Sequence, residues 1–297
     1  MDSVVVLGQI ARDLVLTLDG LPEPGSGAPV TSRRELLGGK GANQAVALAQ
    51  LGAEVALVGA VGADEVGEDL LRQAIADGID VSAVVRRGED SALIVDVLEP
   101  DNRWRYLEHI PRETLVAEED VLAAEKLIYD AGTVLVQLQQ PVATCLTAAR
   151  LARTAGVRVV LDGAPPTTGT HGAELVEEAH VIRADAREAE QLTGSRLDDT
   201  DTAFAAAREV LRRGPELVVL EVSGQGNMFA TNEDEFFVPL ADAPVVDTTG
   251  AGDALIAALV VGLHRGDPLP EIAAASVAAA GKTAGHPGGR PSLASRR

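Results

Sequence analysis

The chain has 297 residues, 46% of them hydrophobic, enough to bury one large α/β core or two small ones. Its 45 acidic against 25 basic residues give a formal net charge of −20, which opposes extended contact with nucleic-acid phosphates or anionic lipid and makes a small molecule the expected partner. No apolar run reaches the ~20 residues of a membrane span, and the N-terminus enters a strand-like segment without a charged region and cleavage site, so a cytoplasmic location is expected.

In chain order, the β-branched run 4–7 predicts a buried strand, and the segment 13–18 alternates apolar with charged or polar residues. A helix over 42–51 closed by Gly52, a strand over 55–61 and a helix over 68–77 closed by Gly78 follow, each glycine supplying a left-handed cap. Residues 91–98 alternate again, and the turn Glu99-Pro100-Asp101-Asn102 joins them to Trp104-Arg105-Tyr106-Leu107. Strands at 134–138, 157–161 and 217–222 then alternate with helices over 142–155 and 202–213, the latter closed by Gly156 and Gly214. Residues 272–280 form a further alanine-rich helix.

Strands alternating with helices imply a parallel sheet covered on both faces. The two alternating stretches predict a small separate sheet with one wet face over an edge of that core, a lid that excludes water from a site; an ordinary edge hairpin gives the same pattern. Cys145, the only cysteine, is expected to be a buried inert thiol, and the five histidines are too scattered for a zinc site.

Two glycine-rich turns carry chemistry. Val246-Asp247-Thr248-Thr249-Gly250-Ala251-Gly252-Asp253 precedes the stretch 254–261, apolar on every side and therefore a buried helix. Its N-terminus opens in the interior, where Gly250, Ala251 and Gly252 direct unpaired N–H groups at an anion, with Asp253 in the first turn beside it. A carboxylate there suits accepting a proton from a hydroxyl that attacks phosphorus, and it equally suits a simple helix cap. Leu37-Gly38-Gly39-Lys40-Gly41-Ala42-Asn43-Gln44 is the second turn; it is not a Walker A loop, since Gly41 follows Lys40, and its donors suit a polyhydroxylated ligand, a phosphate or packing alone.

Together these residues resemble the ribokinase, or PfkB, family of carbohydrate kinases. Residues 37–51 are similar to its sugar-binding signature and 247–253 to its phosphoryl-transfer signature, with further matches at Leu7-Gly8-Gln9-Ile10, Asp13, Gln137-Leu138, Pro141 and 188–194. The resemblance implies a three-layer α/β/α fold with a central, mostly parallel sheet in one kinase domain over 1–297, a β lid from 13–37 and 91–110, and a homodimer through that lid. It implies ATP as phosphoryl donor with Mg²⁺, a sugar acceptor with ribose the leading guess, and Asp253 as base rather than cap. Asp13, Gly38, Gly39, Lys40, Gly41, Asn43 and Gln139 would hold the sugar. Asp185, Glu188, Glu221, Val222, Ser223, Gly224, Gln225, Gly226, Gly252 and Val277 would border ATP. Asp247, Thr249, Thr283, His286, Gly288 and Ser292 would hold an activating K⁺.

Departures from the family pattern bear on specificity. Ala11 and Gln139 replace an asparagine and a glutamate that contact the sugar, Asp185 replaces an asparagine, and Glu221 and Ser223 stand where the nucleotide segment has threonine and glycine. The usual residues after Asp253 are replaced by Ala254, Leu255, Ile256 and Ala257. A nucleoside kinase with Trp104 as the wall for the base, and a sugar-binding member with weakened ATP use, are the alternatives. An aspartate with the ordinary pKa of ~3.9 is a weak base at neutral pH, so orientation of the hydroxyl is expected to matter more than early proton removal.

Overall fold

The computed structural model describes residues 3–100, 103–166, 169–241, 245–286 and 288–293; Asp101 and Asn102 of the expected turn lie outside them. The strands are β1 (Val4–Leu7), β2 (Ala11–Thr17), β3 (Ser32–Gly38), β4 (Val55–Val61), β5 (Asp80–Arg86), β6 (Leu93–Glu99), β7 (Arg103–His109), β8 (Thr133–Gln137), β9 (Arg158–Asp162), β10 (Val181–Ala184), β11 (Leu217–Val222), β12 (Gly226–Ala230) and β13 (Glu235–Pro239). The helices are α1 (Lys40–Gln50), α2 (Glu65–Ala76), α3 (Glu118–Ala123), α4 (Glu125–Tyr129), α5 (Val142–Thr154), α6 (His171–Glu178), α7 (Ala186–Thr193), α8 (Thr200–Leu211), α9 (Ala251–Arg265) and α10 (Leu269–Ala284).

Nine strands form the main sheet in the order β13-β12-β11-β10-β9-β8-β1-β4-β5, parallel from β11 to β5 with β12 and β13 added antiparallel. The apolar runs become strands because both faces are covered: β4 is buried at every residue. One core lies against α3 to α8, the other against α1, α2, α9 and α10. The chain leaves β1 for β4 and β5 on one side and later returns through β8 to build the other half, so the strand order reverses between β1 and β8. Ligands of such sheets bind beyond the carboxyl ends of the strands at that point.

A separate sheet of four strands, β3-β2-β6-β7, stands where the alternating patterns predicted it. In β2 burial alternates along Ala11–Thr17, the sign of one covered and one wet face. The structure extends several expectations. Helix α1 starts at Lys40 instead of residue 42, because Gly39 at φ +83° turns the chain directly out of β3. Helix α2 starts at Glu65, since the Asp64 carboxylate caps it by accepting from the Gly67 amide at 2.8 Å. Strands β5, β12 and β13 lack a periodic apolar run and are recognised only through their sheet partners. Cys145 is 1% exposed, and burial pushes its thiol up to about 12.

Candidate active site

Helix α9 is buried on every side from Asp253 to Gly262, which carries its N-terminus to the floor of a cavity of about 630 Å³. Gly250 has φ +72°, and a Cβ there would stand 1.8 Å from the Gly289 carbonyl oxygen, so only glycine fits this turn. Gly250, Ala251, Gly252 and Asp253 all line the cavity. The Ala251 amide points back to the Thr248 carbonyl at 3.2 Å, which engages one of the amides expected to face an anion.

Asp253 belongs to a buried polar cluster that the motifs did not reveal. Gln44, on α1, donates through Nε2 to Asp253 Oδ1 at 3.1 Å and to Asp162 Oδ2 at 2.8 Å. Arg183, at the end of β10, donates to Asp162 Oδ1 at 3.1 Å and is 5% exposed. The guanidinium packs against Gly252 so closely that a Cβ there would stand 2.7 Å from it. Burial pushes the Asp253 carboxyl up to about 7, the Asp162 charge adds to this, and Lys40 and Arg183 oppose it. Its pKa thus stands near neutrality instead of at the expected ordinary value. Burial likewise raises the Asp162 carboxyl, against the pull of Arg183 and Lys40.

A second bridge joins the first glycine-rich turn to α7. Lys40 Nζ donates to Glu188 Oε1 at 2.7 Å. Glu188 also closes a capping box with Asp185 at the start of α7: the Asp185 amide donates to Glu188 Oε2 at 2.9 Å and the Glu188 amide to Asp185 Oδ1 at 2.8 Å. Burial would raise the Glu188 carboxyl, but Lys40 and Arg183 outweigh it and hold it below its ordinary value. Burial would lower the Lys40 ammonium, but Asp162, Glu188 and Asp253 raise it instead.

The lid closes the cavity from above. Asp13 on β2, Ile94 and Asp96 on β6, and Trp104, Tyr106 and Glu108 on β7 share its inner face. Asp13 is 2% exposed; burial first, then the charges of Asp96 and Asp253, pushes its carboxyl up to about 8. Asp96 is pushed up to about 6 by burial and then by Asp247 and Glu108. The Trp104 and Tyr106 rings stack with centroids 5.6 Å apart. Among the expected sugar ligands, Asp13, Gly39, Lys40, Asn43 and Gln139 line the cavity. Gly38 and Gly41 instead allow close packing: a Cβ on Gly38 would meet the Asp13 carboxylate at 1.9 Å, and one on Gly41 would meet Gly8 at 2.5 Å.

Among the residues expected to border ATP, Asp185, Glu221, Gly224, Gly252 and Val277 line the cavity, Glu188 does not, and Val222, Ser223, Gln225 and Gly226 shape the β11–β12 hairpin behind it. In the expected cation loop, Asp247 is buried, and its carboxylate accepts from the Thr249 amide at 2.9 Å and the Gly288 amide at 2.8 Å. Thr283 is 1% exposed with a hydroxyl that has no hydrogen-bond partner, while His286 and Ser292 are exposed. Sequence reasoning did not single out Asp96, Asp162, Arg183, Tyr106 or Glu108; the charge closing the apolar run before Asp162 was the one usable signal.

The pfkB family carbohydrate kinase profile matches residues 1–296. The chain is 30% identical to a ribokinase of Staphylococcus aureus over 268 residues, covering 89% of this chain and 87% of that one. It is 31% identical to a bifunctional ribokinase/ribose-5-phosphate isomerase A of Fructilactobacillus sanfranciscensis over 87% of its own length, spanning 48% of that relative. The solved structure of Arabidopsis thaliana ribokinase complexed with ribose and ATP superimposes with a TM-score of 0.82 over 97% of this chain and 94% of that one at 24% identity, a likeness of fold. With a family match over essentially its whole length, the chain belongs to the pfkB carbohydrate kinases, which pass a phosphoryl group from ATP to a sugar hydroxyl.

Proposed function

We propose that Asp253 is the base of an ATP-dependent kinase acting on ribose or a related sugar. The observation that carries this reading is the place of Asp253 in the first turn of α9, in the same cavity as Gly250 to Gly252, Asp13 and Asn43. Asp13, Asn43 and Lys40 hold the sugar hydroxyls, and Asp253 orients one hydroxyl and takes its proton as that oxygen attacks phosphorus. A carboxylate titrating near neutrality is better matched to this task than an ordinary one. The Arg183 guanidinium and the amides of the α9 N-terminus other than that of Ala251, which Thr248 engages, would meet the charge of the transferring group. Asp162 fixes Arg183, and Gln44 ties Asp162 to Asp253, so acid and cation keep their relative positions.

The Asp185 carboxylate lines the cavity near Glu221 and is a hard oxygen donor of the kind that suits Mg²⁺, which when bound would offset phosphate charge, while Glu188 behind it is held by Lys40 and the Asp185 amide. The buried Thr283 hydroxyl, which has no hydrogen-bond partner, and the buried Asp247 carboxylate are oxygen donors that suit a monovalent cation such as K⁺. The open edge strand β7, exposed at every residue with Leu107 at 66%, supports a homodimer through the lid. Among the described residues no helix is long and apolar enough to cross a membrane, and we read the enzyme as cytoplasmic. A nucleoside acceptor is the second reading, favoured by Trp104 and Tyr106 lining the cavity.

A coupled ADP-release assay over pentoses, hexoses and nucleosides tests both readings. Asp253→Asn should lower kcat on the best acceptor by roughly 10²–10⁴. The kcat/KM of the unaltered enzyme should rise with pH through about 7 as Asp253 loses its proton. Turnover unchanged in the variant would remove Asp253 from the chemistry.

A further inference from the structure

The inner face of the lid carries more negative charge than a neutral sugar requires. Ile94 of β6 pairs with Asp13 on one side and Glu108 on the other, and Asp96 pairs with Val15 and Tyr106, so the carboxylates stand in neighbouring rows. Asp96 is thus a second acidic group about 7 Å further along the strand direction than the row of Asp13. Asp96 is 5% exposed, and its Oδ2 has no hydrogen-bond partner although the residue lines the cavity. Asp13 Oδ1 is likewise buried and unpartnered. An ionised carboxylate only accepts hydrogen bonds, so the buried Asp96 oxygen calls for a donor brought by the ligand.

Charge decides which donor. The cations that line the cavity are Lys40, Arg183 and Arg187, all on the floor and the nucleotide side; Lys40 is tied to Glu188 and Arg183 to Asp162. None of these stands on the lid; Arg34 of β3 shares the row of Val15, Asp96 and Tyr106 but is exposed and does not line the cavity, and Arg103 and Arg105, on the opposite face, pair with Glu99. The carboxylates repel one another, since Asp96 and Asp253 act on Asp13, and Asp247 and Glu108 act on Asp96. A hydroxyl would satisfy an oxygen and leave this repulsion in place, whereas an ammonium would do both. Beside Asp96 stand the Tyr106 ring and, stacked on it, Trp104, and aromatic faces next to carboxylates attract organic ammonium groups.

We infer that the acceptor is an amino sugar, or a sugar carrying an equivalent protonated amine, with the ammonium seated at Asp96 between Glu108 and the Tyr106–Trp104 stack. This rests on the kinase reading for the hydroxyl that is phosphorylated, and it names what the rest of the substrate carries.

Calorimetry tests it by titrating the enzyme, at a pH where the amine is protonated, with ribose, glucose and galactose and with the 2-amino-2-deoxy counterpart of each; adenosine serves as a neutral aromatic comparator. At least one amine should bind about ten- to a hundredfold more tightly than its parent, the ratio a charge-assisted hydrogen bond supplies. That gap should narrow as NaCl is raised and should fall below about threefold in Asp96→Asn. If Asp96→Asn fails a circular-dichroism melting check, the salt dependence of the unaltered enzyme decides alone. Parents binding as tightly as their amines, adenosine binding more tightly than all of them, or a gap that survives high salt would overturn the inference. ADP release is read separately: its absence with every compound would refute the kinase reading while the binding comparison stands.

Discussion

Asp13 is 2% exposed, leaves Oδ1 without a hydrogen-bond partner and has three other carboxylates acting on it, so keeping it costs folding stability. Its carboxyl titrates at about 8 in the folded chain against an ordinary 3.8, so the folded state holds the extra proton between those values. Stability therefore falls as pH rises through that window. Asp13→Asn should raise Tm at pH 8 by roughly 3–10 °C, change it much less at pH 4, and weaken sugar binding. Scanning fluorimetry at the two pH values checks this, and equal shifts at both would contradict the charge argument. Lys40, Asn43 and Asp253 stand in glycine-rich patterns that drew attention to them in the sequence, whereas Asp13 was singled out only by the family resemblance. Asp96, Asp162 and Arg183 were not: each is a single charged letter in a strand, and its meaning arises only when strand ends far apart in sequence are brought together.

At the scale of elements, most of the parallel sheet was legible because its strands are continuous apolar runs. The antiparallel extension β12–β13 was not, since Gly226 and Asn227 open β12 and β13 is half exposed. The burial of α9 followed from its lack of a polar face, and the turn before it is the most demanding backbone in the site. Gly250→Ala would place a methyl 1.8 Å from a carbonyl oxygen at a positive φ, whereas Gly224, at φ +67°, has nothing within 4 Å of its Cβ position. Gly250→Ala should therefore cost about 2–4 kcal/mol and lower kcat by displacing the α9 N-terminus, while Gly224→Ala should cost only about 1. Urea denaturation of the two variants beside the parent checks the contrast; similar losses would mean that the left-handed backbone, not the close approach to Gly289, sets the requirement.

Over the whole molecule, the two glycine-rich regions singled out in the sequence lie more than two hundred residues apart and meet at one floor, with the lid above it. The order of the strands achieves this by reversing between β1 and β8, a fact about topology that no local pattern carries. The bridge from Lys40 to Glu188 crosses the same reversal, joining residues 148 positions apart. On the proposed reading Lys40 serves the acceptor and Glu188 stands towards the donor, so occupation of either site alters the partner that the other sees. The two ligands then share a free energy of coupling, and linkage makes it reciprocal: whatever factor the sugar applies to the dissociation constant of a non-hydrolysable nucleotide, the nucleotide must apply to the sugar. Four titrations close the cycle, and in Lys40→Met the factor should shrink towards one. A pair of residues that serves as packing in the empty protein thus becomes the means by which each substrate registers the arrival of the other.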